Sequence, residues 1–182
     1  MDTLTRPTSP YYTEAHAAFR ANLRRFVARE IAPFVDEWDE AGGFPRELYR
    51  KAAAIGLLGL GFPEEYGGTP GDRFYSIIAS QELARAGSGG VAASLMSHTI
   101  GAPPIARHGS RAMKERVLTR ILAGEKISAL AITEPDGGSD VANITTTARR
   151  AGDHYVVNGA KTFITSGVRA DFYTVAVRTG CA

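Results

Sequence analysis

From Thr13 to Glu40 the apolar positions Phe19, Leu23, Phe26, Val27, Ile31, Phe34, Val35 and Trp38 follow one another at helical spacing. Such steps draw a single stripe along a helix, which then has one face to bury. Pro33 falls inside the stripe and is expected to kink or divide the helix, because its nitrogen cannot donate and its ring displaces a carbonyl. Gly42-Gly43 end the segment, and Pro45 sits where a helix-opening proline belongs, ahead of a short second helix from Glu47 to Ile55. The turn-rich stretch Leu57 to Gly68 reads as a connecting loop. Asp72 is positioned to cap a third helix reaching Ala86, which Gly89-Gly90 break. A fourth helix is predicted from Val91 through Ile105, bent or bounded at Pro103-Pro104. Ser110 caps a fifth, with Met113, Val117, Leu118, Ile121 and Leu122 on one side and Gly124 at its end.

After Glu125 the period changes. Ile127 to Thr133 and the threonine-rich Asn143 to Arg150 read as strands. His154–Val157 and Lys161–Ile164 flank Asn158-Gly159, a strong short-range hairpin signal. Phe172 to Arg178 is a further strand candidate. The pattern predicts a leader (1–10), an all-α helical domain (11–126) and a small antiparallel β segment (127–182).

Composition narrows the function classes. The 182 residues are 44% apolar and 22% charged, with a net charge of +2 spread along the chain. Nothing here points to nucleic acid or an anionic membrane, and no apolar run is long enough to span a bilayer. The N-terminal residues lack the apolar core of a secretory signal, so a cytoplasmic setting is expected. Cys181 is the single cysteine, and His16, His98, His108 and His154 have no metal-ligand spacing. The histidines are read as surface or capping residues, and no metal site is expected. Gly59-Leu-Gly61 opens like a dinucleotide fingerprint, but Glu64 stands where the third glycine belongs and no βαβ unit follows.

Two segments carry chemistry. Leu130-Ala-Ile-Thr-Glu-Pro-Asp-Gly-Gly-Ser-Asp140 runs from an apolar strand into a loop of hydroxyls and open backbone amides, suited to an anion or a heterocycle edge. Asn158-Gly-Ala-Lys-Thr-Phe-Ile-Thr165 delivers a flat aromatic face and another hydroxyl. Together they read as two walls of a site for a large planar cofactor bearing phosphates.

These segments match T-E-P-x-x-G-S-D and N-G-x-K-x-x-I-T, the flavin-binding signatures of the acyl-CoA dehydrogenases, in order and at the usual separation; the chain resembles that family over nearly its whole length. The resemblance implies a multi-domain fold, with the helical domain followed by part of a middle antiparallel β-barrel or sandwich. It implies FAD as cofactor, an acyl-CoA thioester as substrate, α,β-dehydrogenation within fatty acid β-oxidation, and an electron-transfer flavoprotein as acceptor. It assigns Leu130 and Ile132 to apolar contact with the flavin, Thr133 to the polar ring edge, and Gly138 and Ser139 to phosphate. Phe163, Ile164 and Thr165 form the second wall. Phe163 stands where many members carry tryptophan, which removes an indole donor. Ser139 is also implied against the CoA portion, and Met96 and Ile100, with Ala93 and Ser97 beside them, against the acyl chain.

The family's glutamate base, the rest of the β-domain and the surfaces of the family's tetramer all correspond to sequence after Ala182. The chain is therefore expected to be truncated, to bind FAD weakly, to aggregate through uncovered strands and to show no turnover by itself. Glu134 is expected to fix its loop rather than to act as the base. The competing expectations are an acyl-CoA oxidase or flavin monooxygenase of the same fold, or a non-catalytic fragment that binds a complementary chain.

Overall fold

In the computed structural model, residues 10–180 are described and form two compact units. The predicted leader, Pro10 excepted, and Cys181 lie outside the described residues. One unit holds the described residues up to Leu95 together with Leu122–Gly124; the other holds Met96–Ile121 and the residues from Glu125 onward.

The first unit is helical: α1 (Glu14–Glu30), a 3-10 turn (Ala32–Phe34), α2 (Val35–Glu40), α3 (Glu47–Ala54), α4 (Arg73–Ala84) and α5 (Gly89–Leu95). Pro33 divides the first stripe as expected, inside the 3-10 turn. Thr13 caps α1 in a reciprocal box: its hydroxyl accepts from the His16 amide at 3.4 Å, and its own amide donates to His16 Nδ1 at 3.0 Å. His16 is buried, and its Nε2 lies 3.0 Å from Asp72 Oδ1, the carboxylate that caps α4 by accepting from the Phe74 amide. Two helix starts are thereby tied together. The core is built on Leu23, Ile31, Leu57, Leu58, Ile78 and Leu95, each contributing about 1.5–3 kcal/mol on burial.

α1 packs on α4 around one buried acid, Glu82, which is only 1% exposed. Burial alone would raise its carboxyl, but hydrogen bonds from Arg24 (2.9 and 3.1 Å) and Arg20 (2.9 Å) outweigh that and hold it below the ordinary value. A depressed folded-state pKa adds stability above the unfolded value and loses it as pH falls through the folded one. Thermal stability of the chain is thus expected to hold between neutral pH and the ordinary glutamate value of 4.5 and to decline below it. Arg24→Ala should lower unfolding free energy by roughly 1–2 kcal/mol at pH 7, less than for a fully buried pair because Arg24 is partly solvated. Thermal denaturation of both proteins across pH checks the two expectations.

The second unit mixes helix and strand. It contains α6 (His98–Gly101), α7 (Pro103–His108), α8 (Arg111–Met113), a π-helical turn (Lys114–Leu118) and most of α9 (Thr119–Leu122), with β1 (Ser128–Ala131), β2 (Thr147–Ala151), β3 (His154–Asn158) and β4 (Phe172–Val175). The predicted fourth helix is interrupted where the Ser97 hydroxyl turns to the Ser128 carbonyl at 2.9 Å, and again where Pro103 starts α7. Ser110 caps α8 through the Met113 amide, as predicted. Met113 itself is exposed, whereas Val117, Leu118 and Ile121 are buried.

A helical region followed by a small sheet region is the expected architecture, but two details of the sheet are corrected. β1 pairs with β4 in parallel, in the register Ser128↔Phe172 to Ala131↔Val175. The antiparallel expectation fails there because a long connection, containing a whole hairpin, separates the two strands. That hairpin is β2–β3, antiparallel, and it turns at Gly152-Asp153 rather than at Asn158-Gly159. Gly152 supplies the positive φ (+67°) that a two-residue turn uses, and Lys161–Ile164 forms no strand. β3 is exposed along its length, with Tyr155, Val156 and Val157 each more than half accessible.

Candidate functional site

β1 runs into the Thr133–Asp140 loop, which folds back at once: the Glu134 amide donates to the Gly137 carbonyl at 2.9 Å and the Gly137 amide to the Glu134 carbonyl at 3.1 Å. This tight turn buries the Glu134 side chain (5% exposed) below the loop. Its carboxylate accepts five hydrogen bonds. They come from the amide and hydroxyl of Thr145 (2.6 and 2.7 Å), the amide and hydroxyl of Thr146 (2.9 and 2.6 Å), and the Lys161 ammonium (2.8 Å). Lys161 first, then Thr146 and Thr145, hold this carboxyl far below the ordinary glutamate range. It is therefore ionised, saturated with donors and unable to take a proton without breaking its own scaffold. The expected loop-fixing role matches this geometry.

Lys161 explains why Asn158-Gly159 is not a hairpin. After β3 the chain crosses Thr146 closely enough that a Cβ on Gly159 would stand 2.5 Å from the Thr146 hydroxyl and 2.7 Å from its Cα. It then delivers the Lys161 ammonium to Glu134 Oε1 and, at 2.8 Å, to the Ile132 carbonyl. The Thr162 amide next donates to the Thr133 carbonyl at 2.9 Å. The two signature segments thus lie side by side, joined at consecutive residues.

The surface they present suits a planar group carrying phosphates. Leu130 and Ile132 are half-buried around the buried Ala131, as alternate positions should be. Thr133 and Gly138 are half-buried and Ser139 is exposed. A Cβ on Gly138 would lie 3.1 Å from Thr133 Cγ2, so the bare glycine keeps the backbone tight behind Thr133. On the other segment Phe163 is 91% exposed and held at φ +54°, a left-handed conformation that a bulky residue adopts only under constraint. Ile164 is half-buried and Thr165 exposed. Strained, over-determined backbone of this kind concentrates at functional sites.

Ile100 lies in α6 and Met96 just before it. α6 packs on β1 so closely that a Cβ on Gly101 would come within 3.0 Å of the Ala129 carbonyl. The Thr174 hydroxyl of β4 donates to the Gly101 carbonyl at 2.5 Å. Met96 is half-buried and Ile100 exposed. His98, read from sequence as a surface or capping residue, is instead buried at the start of α6. Sequence reasoning gave no role to Thr145, Thr146 or Lys161. The lysine inside N-G-x-K and the threonine run before β2 were the available signals.

Among the described residues no helix is long and apolar enough to cross a membrane, and no group of acids, histidines or cysteines could hold a metal ion.

Comparison with known proteins bears on the same segments. Residues 13–125 match the family model "Acyl-CoA dehydrogenase, N-terminal domain", and residues 129–182 match "Acyl-CoA dehydrogenase, middle domain". The curated acyl-CoA dehydrogenase apdG of Emericella nidulans is 37% identical, over 94% of this chain and 44% of its own length. A probable acyl-CoA dehydrogenase from Mycobacterium abscessus, solved by crystallography, is 54% identical with a TM-score of 0.90, over 93% of this chain and 45% of that one. An acyl-CoA dehydrogenase complexed with FAD from Bacillus anthracis is 33% identical with a TM-score of 0.82, over 93% of this chain and 29% of that one. The chain thus spans less than half the length of these relatives. Two family models, matched in order over residues 13–125 and 129–182, show that the chain belongs to the acyl-CoA dehydrogenase family.

Proposed function

We propose that the chain carries part of the FAD site of a flavin-dependent oxidoreductase of the acyl-CoA dehydrogenase type, acting at the α,β CH–CH bond of an acyl-CoA thioester. The observation that carries this reading is the Thr162–Thr133 backbone bond, which joins the segment bearing the exposed Phe163 to the start of the Thr133–Ser139 loop. FAD, when bound, supplies the acceptor for the β-hydride and passes the electrons on, in this family to an electron-transferring flavoprotein. The chain's own residues bind and orient. Thr133 takes the polar edge of the ring, Leu130 and Ile132 its apolar flank, and Phe163 its face, with Ile164 and Thr165 completing that wall. Gly138 and Ser139 offer amides and a hydroxyl to phosphate oxygens, the glycine permitting close approach. Ser139 also meets the CoA portion, and Met96 and Ile100 the acyl chain. Removal of the α-proton falls to a carboxylate other than Glu134, whose five donors fix it as an anion.

The test is a titration of FAD with the purified chain, followed by visible absorption without a desalting step. A weak but saturable, protein-shifted flavin envelope is the expected result. An envelope that stays that of free FAD at every protein concentration would overturn the claim that these residues bind FAD.

A further inference from the structure

We infer that Lys161 is a positioning residue: its ammonium is the clamp that sets the spacing between the two walls of the proposed flavin site. The inference rests on the flavin reading for its consequence but on geometry for its substance.

Thr133 is the residue of the first wall that most needs placement, and Lys161 holds both of its neighbours. The ammonium donates to the Ile132 carbonyl and to the Glu134 carboxylate, each at 2.8 Å. The lysine is well shielded, its side chain 10% exposed. Because it sits immediately before Thr162, the same stretch that grips residues 132 and 134 also donates to the carbonyl of Thr133. Three consecutive residues of one wall are thus fixed by two consecutive residues of the other. Phe163 follows directly, so its backbone cannot drift from Thr133 without loosening the clamp. A neutral side chain at 161 would leave a buried anion with only neutral donors and free the Ile132 carbonyl. Charged partners in such a site are worth more than neutral ones, and their loss should act first on the register of the walls.

The experiment compares the full chain with Lys161→Met and, as a control for losing one positive charge, Lys51→Met, which removes an ion pair to Glu30 in the other unit. Two readouts are taken. The first is FAD affinity by flavin fluorescence, with the induced circular dichroism of the bound flavin. The second needs no flavin: amide exchange of Thr162, whose N–H is the first bond the clamp secures. Lys161→Met is expected to weaken FAD at least roughly tenfold, to alter the flavin dichroism and to speed Thr162 exchange at least tenfold. Lys51→Met should do none of these. Unchanged Thr162 protection in Lys161→Met overturns the clamp outright, and wild-type affinity and dichroism overturn its role in the site. A wild-type chain that binds no FAD sinks the flavin reading alone, and the exchange measurement still decides the clamp. If Lys161→Met does not fold, Lys161→Gln, which keeps a donor for one acceptor but not both, carries the same comparison: faster exchange supports the clamp and wild-type exchange overturns it.

Discussion

Gly159→Ala is expected to lower the unfolding free energy by about 3 kcal/mol or more and the thermal midpoint by roughly 6–12 °C, a large loss for a single added methyl. Two costs combine. The backbone at Gly159 stands at φ +150°, where side-chain-bearing residues are rarely found. The new Cβ would also arrive 2.5 Å from the Thr146 hydroxyl and 2.7 Å from its Cα, and a backbone atom cannot swing aside as a side-chain tip can. Thr146 donates twice to Glu134, so pushing it away pulls two of five donors off a buried anion. Gly152→Ala is the matched control. It also has a positive φ (+67°), but nothing lies within 4 Å of its added Cβ, so it should cost only about 1 kcal/mol. Thermal melts of the two variants beside the parent decide the matter. Equal losses would mean that backbone conformation alone, and not the contact with Thr146, governs residue 159.

The same glycine shows where sequence reading stops. Asn158-Gly159 has the composition of a hairpin turn, and its local signal is strong. The competing pull, a lysine two residues on reaching a buried glutamate 27 positions earlier, leaves no local trace. Features whose cause lies within a few residues were legible: the break at Pro33, the caps at Asp72 and Ser110, and the glycine end at Gly124. The two signature segments were legible because their residue types are themselves chemical. What sequence could not supply was pairing over distance. β1 and β4 are joined by register across the intervening hairpin, and the parallel sense follows from tertiary placement rather than from either strand's composition. Glu134 was read as fixing its loop, yet its part as the hub that stitches three segments emerges only from the threonines and lysine gathered around it.

Replacing Phe163 by glycine should separate stability from ligand affinity, leaving the first nearly unchanged and weakening the second. With 91% of the residue accessible, the ring contributes almost no packing to the fold, so its removal forfeits little buried area. The φ of +54° costs an aromatic residue roughly 1 kcal/mol and costs glycine almost nothing. Against this, glycine brings a more flexible unfolded chain, worth a similar amount in the other direction. The thermal midpoint should therefore stay within about 2 °C of the parent. Flavin affinity should not. A ring stacked on an isoalloxazine face contributes about 0.5–1.5 kcal/mol beyond the area it covers, so the dissociation constant for FAD should rise roughly tenfold or more. Phe163→Trp should bind at least as tightly as the parent, because it widens the face at the same backbone position. Fluorescence titration with FAD and a thermal melt on each variant read the two effects independently. If Phe163→Gly melts well below the parent, the ring packs in solution against something that its accessibility hides. If Phe163→Gly binds FAD like the parent, the second wall lies elsewhere, and the strain at Phe163 serves the turn rather than the cofactor.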